Sequence, residues 1–111
     1  MILIELSYIC SRNSAMQHDI KKLTRIMKAL ANDNRLELYL QIRHLEQLAV
    51  PQSECFVSDI AAKMKIGAPT ISHHIKELES AGLIRVQKLG KQITASVNEE
   101  TKNYVREVFS I

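Results

Sequence analysis

Apolar positions recur along this chain with two different periods, and the change of period divides it. From Met16 to Ala31, residues Ile20, Leu23, Ile26, Met27 and Leu30 fall on one face at helical spacing, which predicts an amphipathic helix. Asn32-Asp33-Asn34 interrupts it with residues that favour turns and helix caps. Arg35 to Leu48 carries Leu36, Leu38, Leu40, Ile42, Leu45 and Leu48, apolar over much of a helical circumference, so a central helix is expected. Val50-Pro51-Gln52-Ser53 breaks the pattern. Ser58 is then the expected N-cap of a short helix from Ile60 to Met64 or Lys65. Lys65-Ile66-Gly67 reads as a tight turn. A further helix opens at Gly67-Ala68-Pro69, runs through Ile71, Ile75 and Leu78 on one face, and stops at Ala81-Gly82.

Beyond Gly82 the period falls to two. Ile84 and Val86, then Ile93, Ala95 and Val97, alternate with polar residues, and Gly90-Lys91 supplies a hairpin tip. Asn98 is placed to cap a last helix with Tyr104, Val105, Val108 and Phe109 on one stripe. The expected order is therefore four helices, two strands and a helix: a mostly α chain with a two-stranded β-wing.

At 111 residues the natural count is one domain, expected over residues 16–111, with residues 1–15 as an N-terminal extension. Met16 offers an alternative start. Apolar residues at 46% and charged residues at 24% are the balance of a folded soluble chain. No apolar run reaches the ~18 residues that would span a membrane. The apolar N-terminus is broken by Glu5 and lacks the basic region of a signal peptide. Two cysteines, Cys10 and Cys55, are too few for a disulfide scaffold, so a reducing, cytoplasmic setting is expected.

The net charge of +3 matters less than where it sits. Between Ile60 and Ala95 stand Lys63, Lys65, Lys76, Arg85, Lys88 and Lys91 against Glu77 and Glu79, a balance of +4; the nine basic and ten acidic residues elsewhere leave −1. Positive charge gathered in one third of a chain points to a polyanion, although a solvated basic face would carry the same signal.

A short helix, a tight turn and a longer helix form a helix-turn-helix, here followed by a hairpin wing. The second helix of such a pair enters the DNA major groove by its N-terminal half. With Ile71 and Ile75 inward, Thr70, Ser72, His73, His74 and Lys76 are left for the exposed arc, a set suited to phosphates and base edges. Lys88, Lys91 and Gln92 surround the wing tip and can meet neighbouring phosphate. Adjacent helical positions point about 100° apart, so His73 and His74 converge poorly on one metal ion. No phosphate-binding glycine loop, nucleophile elbow or convergent carboxylate pair is legible, so neither an enzyme nor a cofactor is expected, and no catalytic residue or metal site is assigned. The first and last helices offer more apolar surface than so small a core can cover. Ile20, Leu23, Met27, Tyr104, Val105, Val108 and Phe109 are therefore expected to pair two copies of the chain.

Three strings also resemble the ArsR/SmtB repressors: Lys28-Ala-Leu-Ala-Asn-Asp-Asn-Arg-Leu-Glu-Leu, Glu54-Cys-Phe-Val-Ser-Asp-Ile, and Pro69-Thr-Ile-Ser-His-His-Ile-Lys-Glu-Leu-Glu-Ser-Ala-Gly-Leu-Ile. The resemblance covers roughly residues 22–109. It implies a winged helix-turn-helix homodimer that binds a double-stranded operator, represses a promoter and lets go when an inducer arrives. The alternative is a winged-helix protein-interaction module that no longer binds DNA. Where the resemblance implies two metal-binding cysteines, this chain has Phe56 and Ser58; Cys55 stands one place early. A second metal site implied on the last helix needs Asp and His, which residues 98–111 lack. Gly67-Ala68 replaces the polar pair that often precedes the Pro-Thr. The inducer is left unidentified. Cys10 and Cys55 could form a redox or soft-ion thiol pair, or serve merely as two small hydrophobes.

Overall fold

In the computed structural model, which describes residues 13–48 and 56–110, five helices and one hairpin follow one another. They are α1 (Asn13–Leu30), α2 (Asp33–Leu48), α3 (Val57–Met64), α4 (Ala68–Ser80), β1 (Ile84–Leu89), β2 (Gln92–Val97) and α5 (Glu99–Val108). The order and type of every element agree with the periodicity of the sequence. Cys10 and Cys55 lie outside the described residues, as does the break at Val50–Ser53.

The boundaries differ where capping decides them. α1 starts at Asn13, inside the stretch expected to precede the domain. α2 starts at Asp33 rather than Arg35 because Asn32 is its cap: the Arg35 amide donates to Asn32 Oδ1 at 3.1 Å. Ser58 is not the cap of α3. Phe56 pairs with Thr94 in an isolated β-bridge, which holds its backbone extended up to Val57, so the helix begins one residue before Ser58. The Ser58 hydroxyl instead donates to Gln92 Oε1 at 3.2 Å, joining the first turn of α3 to the wing.

One core gathers all the elements. Ile26 of α1, Leu38 and Ile42 of α2, Ile60 of α3, Leu78 of α4 and Leu83 at the entry to β1 are essentially sealed from water. Truncating one of these to Ala should cost about 2–5 kcal/mol, a large part of a small domain's stability. α2 is central, but only along the stripe Leu38, Tyr39, Ile42 and Leu45; Leu36 and Leu40, on its other side, are 40% and 45% exposed.

Three polar ties fix how the wing and α5 sit on the helices. The Val97 amide donates to Glu46 Oε1 at 2.9 Å, anchoring the end of β2 to α2. The Asn98 amide donates to the Leu83 carbonyl, closing the base of the hairpin. Thr101, buried, donates through Oγ1 to the Gly82 carbonyl at 2.6 Å. Gly82 itself turns the chain from α4 into β1 at φ +76°, a conformation that disfavours any side chain. Asn98 caps α5 as its sequence position predicted, accepting from the Glu100 amide.

Candidate nucleic-acid interface

The turn between α3 and α4 is built by backbone. Lys65 closes α3 in the left-handed region at φ 57°, and the amides of Lys65 and Ile66 return to the carbonyls of Ala62 and Ala61. Ile66 tucks against the core, and Gly67 opens α4 in extended conformation with Pro69 in the first turn. Three residues thus reverse the chain between two helices that share one core, which is the geometry of a helix-turn-helix.

Ile71, His74, Ile75 and Leu78 form the buried stripe of α4, at spacings of three, one and three. Thr70, Ser72, His73 and Lys76 are exposed beside it. The expectation that His74 joins them is corrected: three residues after Ile71 and four before Leu78, its side chain necessarily lands on the inward face. His74 is 5% exposed, and neither ring nitrogen has a hydrogen-bond partner among the described residues. Burial, then the charge of Arg35 and the neighbouring His73, push its imidazole below the ordinary range. The His73 and His74 ring centroids are 6.0 Å apart and tilted by 48°, one ring in solvent and the other in the core. Among the described residues no group of three or more His, Cys, Asp or Glu side chains is arranged to hold a metal ion.

The hairpin places Lys88, Leu89, Lys91 and Gln92 in solvent around Gly90, which turns at φ +62°. Gln92 pairs with Leu89 across the tip, and its side-chain carbonyl already accepts from Ser58. Among the described residues the ion pair is Lys102–Glu99, and none engages Lys63, Lys65, Lys76, Lys88 or Lys91. Of the two positions where family resemblance implies metal ligands, Phe56 offers no donor and the Ser58 hydroxyl is committed to Gln92.

A second surface lies on α1 and α5. Lys22 Nζ sits 4.2 Å from the centre of the Tyr104 ring, so the two helices are neighbours. Tyr104 and Val105 pack partly against the core, whereas Ile20, Met27, Val108 and Phe109 are exposed, Ile20 at 56% and Phe109 at 58%. Phe109 falls just past the last helical turn as its C-cap. Ile20, Leu23, Met27 and Ala31 line an apolar groove along α1.

Helix-turn-helix and wing on one core make this a winged helix-turn-helix domain. Comparison with known proteins narrows the class. Residues 42–86 match the sequence model of the bacterial regulatory protein, arsR family. The arsenical resistance operon repressor of Staphylococcus xylosus is 29% identical over 91 residues, 82% of this chain and 80% of the repressor. The SmtB homologue of Synechocystis, a transcriptional repressor, is 28% identical over 89 residues, 79% of this chain and 61% of that protein. Among solved structures, an ArsR family transcriptional regulator superposes with a TM-score of 0.67 at 25% identity, covering 80% of this chain and 89% of the other. A homodimeric winged helix-turn-helix DNA-binding domain from Mycobacterium bovis superposes with a TM-score of 0.63 at 24% identity, covering 87% and 80%. In sequence and in fold the chain is thus similar to the ArsR family of regulatory proteins.

Proposed function

We propose that this protein is a homodimeric, sequence-specific DNA-binding repressor of transcription. The observation that carries the reading is the exposed arc of α4 standing beside an unneutralised basic wing. Thr70, Ser72 and His73 read base edges or adjoining phosphate, and Lys76 holds phosphate. Lys88 and Lys91 meet the backbone from the wing. Gln92 serves chiefly to fix the wing's position, through its bond to Ser58. The bare apolar residues of α1 and α5 pair across a two-fold axis and set two copies of α4 roughly 34–36 Å apart, one turn of DNA. The family is one of regulatory proteins, so no catalytic step is assigned. No helix among the described residues is long and apolar enough to cross a membrane, which agrees with action on DNA in the cytoplasm.

Footprinting on the region upstream of the protein's own gene tests the reading, at several salt concentrations. Protection of a two-fold symmetric site is expected, with affinity falling steeply as salt rises. Salt-insensitive binding, or none to any duplex, would favour the protein-interaction alternative. Repeating the footprint with zinc, cadmium, arsenite and peroxide, on parent and Cys55→Ser protein, shows whether a thiol carries the release signal.

A further inference from the structure

His74 is the member of the recognition helix that the fold takes inside, and nothing in DNA contact uses it. Its buried ring leaves both Nδ1 and Nε2 without a partner among the described residues. A neutral imidazole tolerates this with one donor and one acceptor unmet. An imidazolium would bring two unmet donors and a full charge into the same apolar packing. The helices α1 and α2 and strand β1 all pack against α4. The charges that act on the ring are Arg35 from α2 and His73 from α4 itself, both opposing a proton, and among the described residues no carboxylate offsets them. Arg35 is held in place, because its Nε donates to the Ala29 carbonyl at 2.7 Å and its amide to Asn32 Oδ1. Protonation therefore favours conformations in which the ring has left its pocket. His74 stands between His73 and Lys76 in the stretch of α4 that also carries Thr70 and Ser72, so displacing the ring disturbs the packing of that stretch.

We propose that His74 makes DNA binding acid-labile: protonation of the buried ring undocks the N-terminal half of α4, so the protein holds its operator at neutral pH and releases it on acidification. The inference rests on α4 being the DNA-contacting helix. The sign follows from the folded ring taking a proton less readily than a free imidazole. Docking is fully stable above the free value of 6.5 and loses stability as pH falls from there through the lower folded value.

Two measurements on the full chain test this. Fluorescence anisotropy follows binding to a labelled duplex from the upstream region, and to a random duplex, from pH 7.5 to 5.0 at constant ionic strength. In parallel, imidazole NMR of the DNA-free protein titrates the four histidines. His74 should take up its proton below the free value of 6.5. The His73→Gln background removes the second imidazole of α4 from the measurement. Operator affinity in that background should drop by about tenfold or more at the acid end. His74→Leu, which fills the same space with nothing to protonate, should bind at pH 7.5 and lose the acid response. If His74→Leu does not fold, the titration and the acid response of His73→Gln decide the matter. A His74 that titrates at or above 6.5, or His73→Gln affinity that is flat down to pH 5.0, overturns the proposal. Failure to bind either duplex at pH 7.5 would instead overturn the DNA reading, and the switch with it.

Discussion

Two surfaces of this molecule are unfinished within a single chain, and they are unfinished in opposite ways. Around the N-terminal half of α4 and the wing tip the exposed residues include Thr70, Ser72, His73, Lys76, Lys88 and Lys91, and no ion pair among the described residues engages those lysines, although Glu77 and Glu79 are exposed further along α4. Along α1 and the end of α5 the large apolar residues Ile20, Met27, Val108 and Phe109 are exposed, set among charged neighbours such as Lys28 and Arg106. The first surface is satisfied by a polyanion, whose condensed counterions are released on contact. The second is satisfied by apolar surface, and an identical copy supplies it at no further cost in sequence. The energetics differ too. Contacts of the first kind weaken as salt rises, whereas contacts of the second kind hold or tighten. In the proposed reading one surface sets where the protein binds, and the other determines whether two recognition helices act together.

The largest effect should come from the apolar surface. Ile20→Asp with Phe109→Asp places charge at positions the single chain leaves exposed, so the fold should survive while pairing fails. Losing the second half-site contact should weaken operator binding by roughly a hundredfold or more. Sedimentation velocity and gel shift read both quantities, and a double variant that stays dimeric would break the comparison. Reversing the wing comes next. Lys88→Glu with Lys91→Glu should lower affinity about ten- to a hundredfold at low salt and flatten the salt dependence, with unchanged thermal melting. Unaltered gel shifts would show that the wing does not meet DNA.

On the helix itself, Ser72→Ala and His73→Ala should each cost about 1–3 kcal/mol on the operator and less on random DNA. Lys76→Ala should weaken both duplexes alike and reduce the salt slope by about one. Equal losses on both duplexes for the Ser72 and His73 variants would demote those residues to backbone contacts. The smallest effect concerns the start of α4. Gly67 has an ordinary negative φ and no side-chain cap, and a Cβ built there meets nothing nearer than Pro69 Cδ at 3.9 Å. Gly67→Ser should therefore cap the helix and raise the melting temperature by about 1–2 °C. A fall in melting temperature would show a close approach at Gly67 that the backbone does not reveal.

The sequence by itself determined the order and type of the elements. Helical spacing in α1 and α4, the alternation of Ile84, Val86, Ile93, Ala95 and Val97, and the punctuation by Gly82 and Asn98 are local signals that physics reads over a few residues. It also determined that positive charge collects in one third of the chain, because summing charge needs no fold. Only the tertiary structure decided what depends on contacts between distant residues. Ser58 looked like a cap until the bridge between Phe56 and Thr94 moved the start of α3 and gave its hydroxyl to Gln92, 34 positions away. His74 looked like a DNA contact because its residue type is polar. Counting from Ile71 and Leu78 could have placed it inward, but that such a site would accept a histidine with neither nitrogen bonded depends on how α1 and α2 pack over it. Leu36 and Leu40 carry the same warning: composition made α2 apolar nearly all round, and only packing chose the stripe of Leu38, Tyr39 and Ile42 to bury. Burial is a property of the assembled surfaces, and one-dimensional spacing fixes a residue's face of the helix but not what lies against that face.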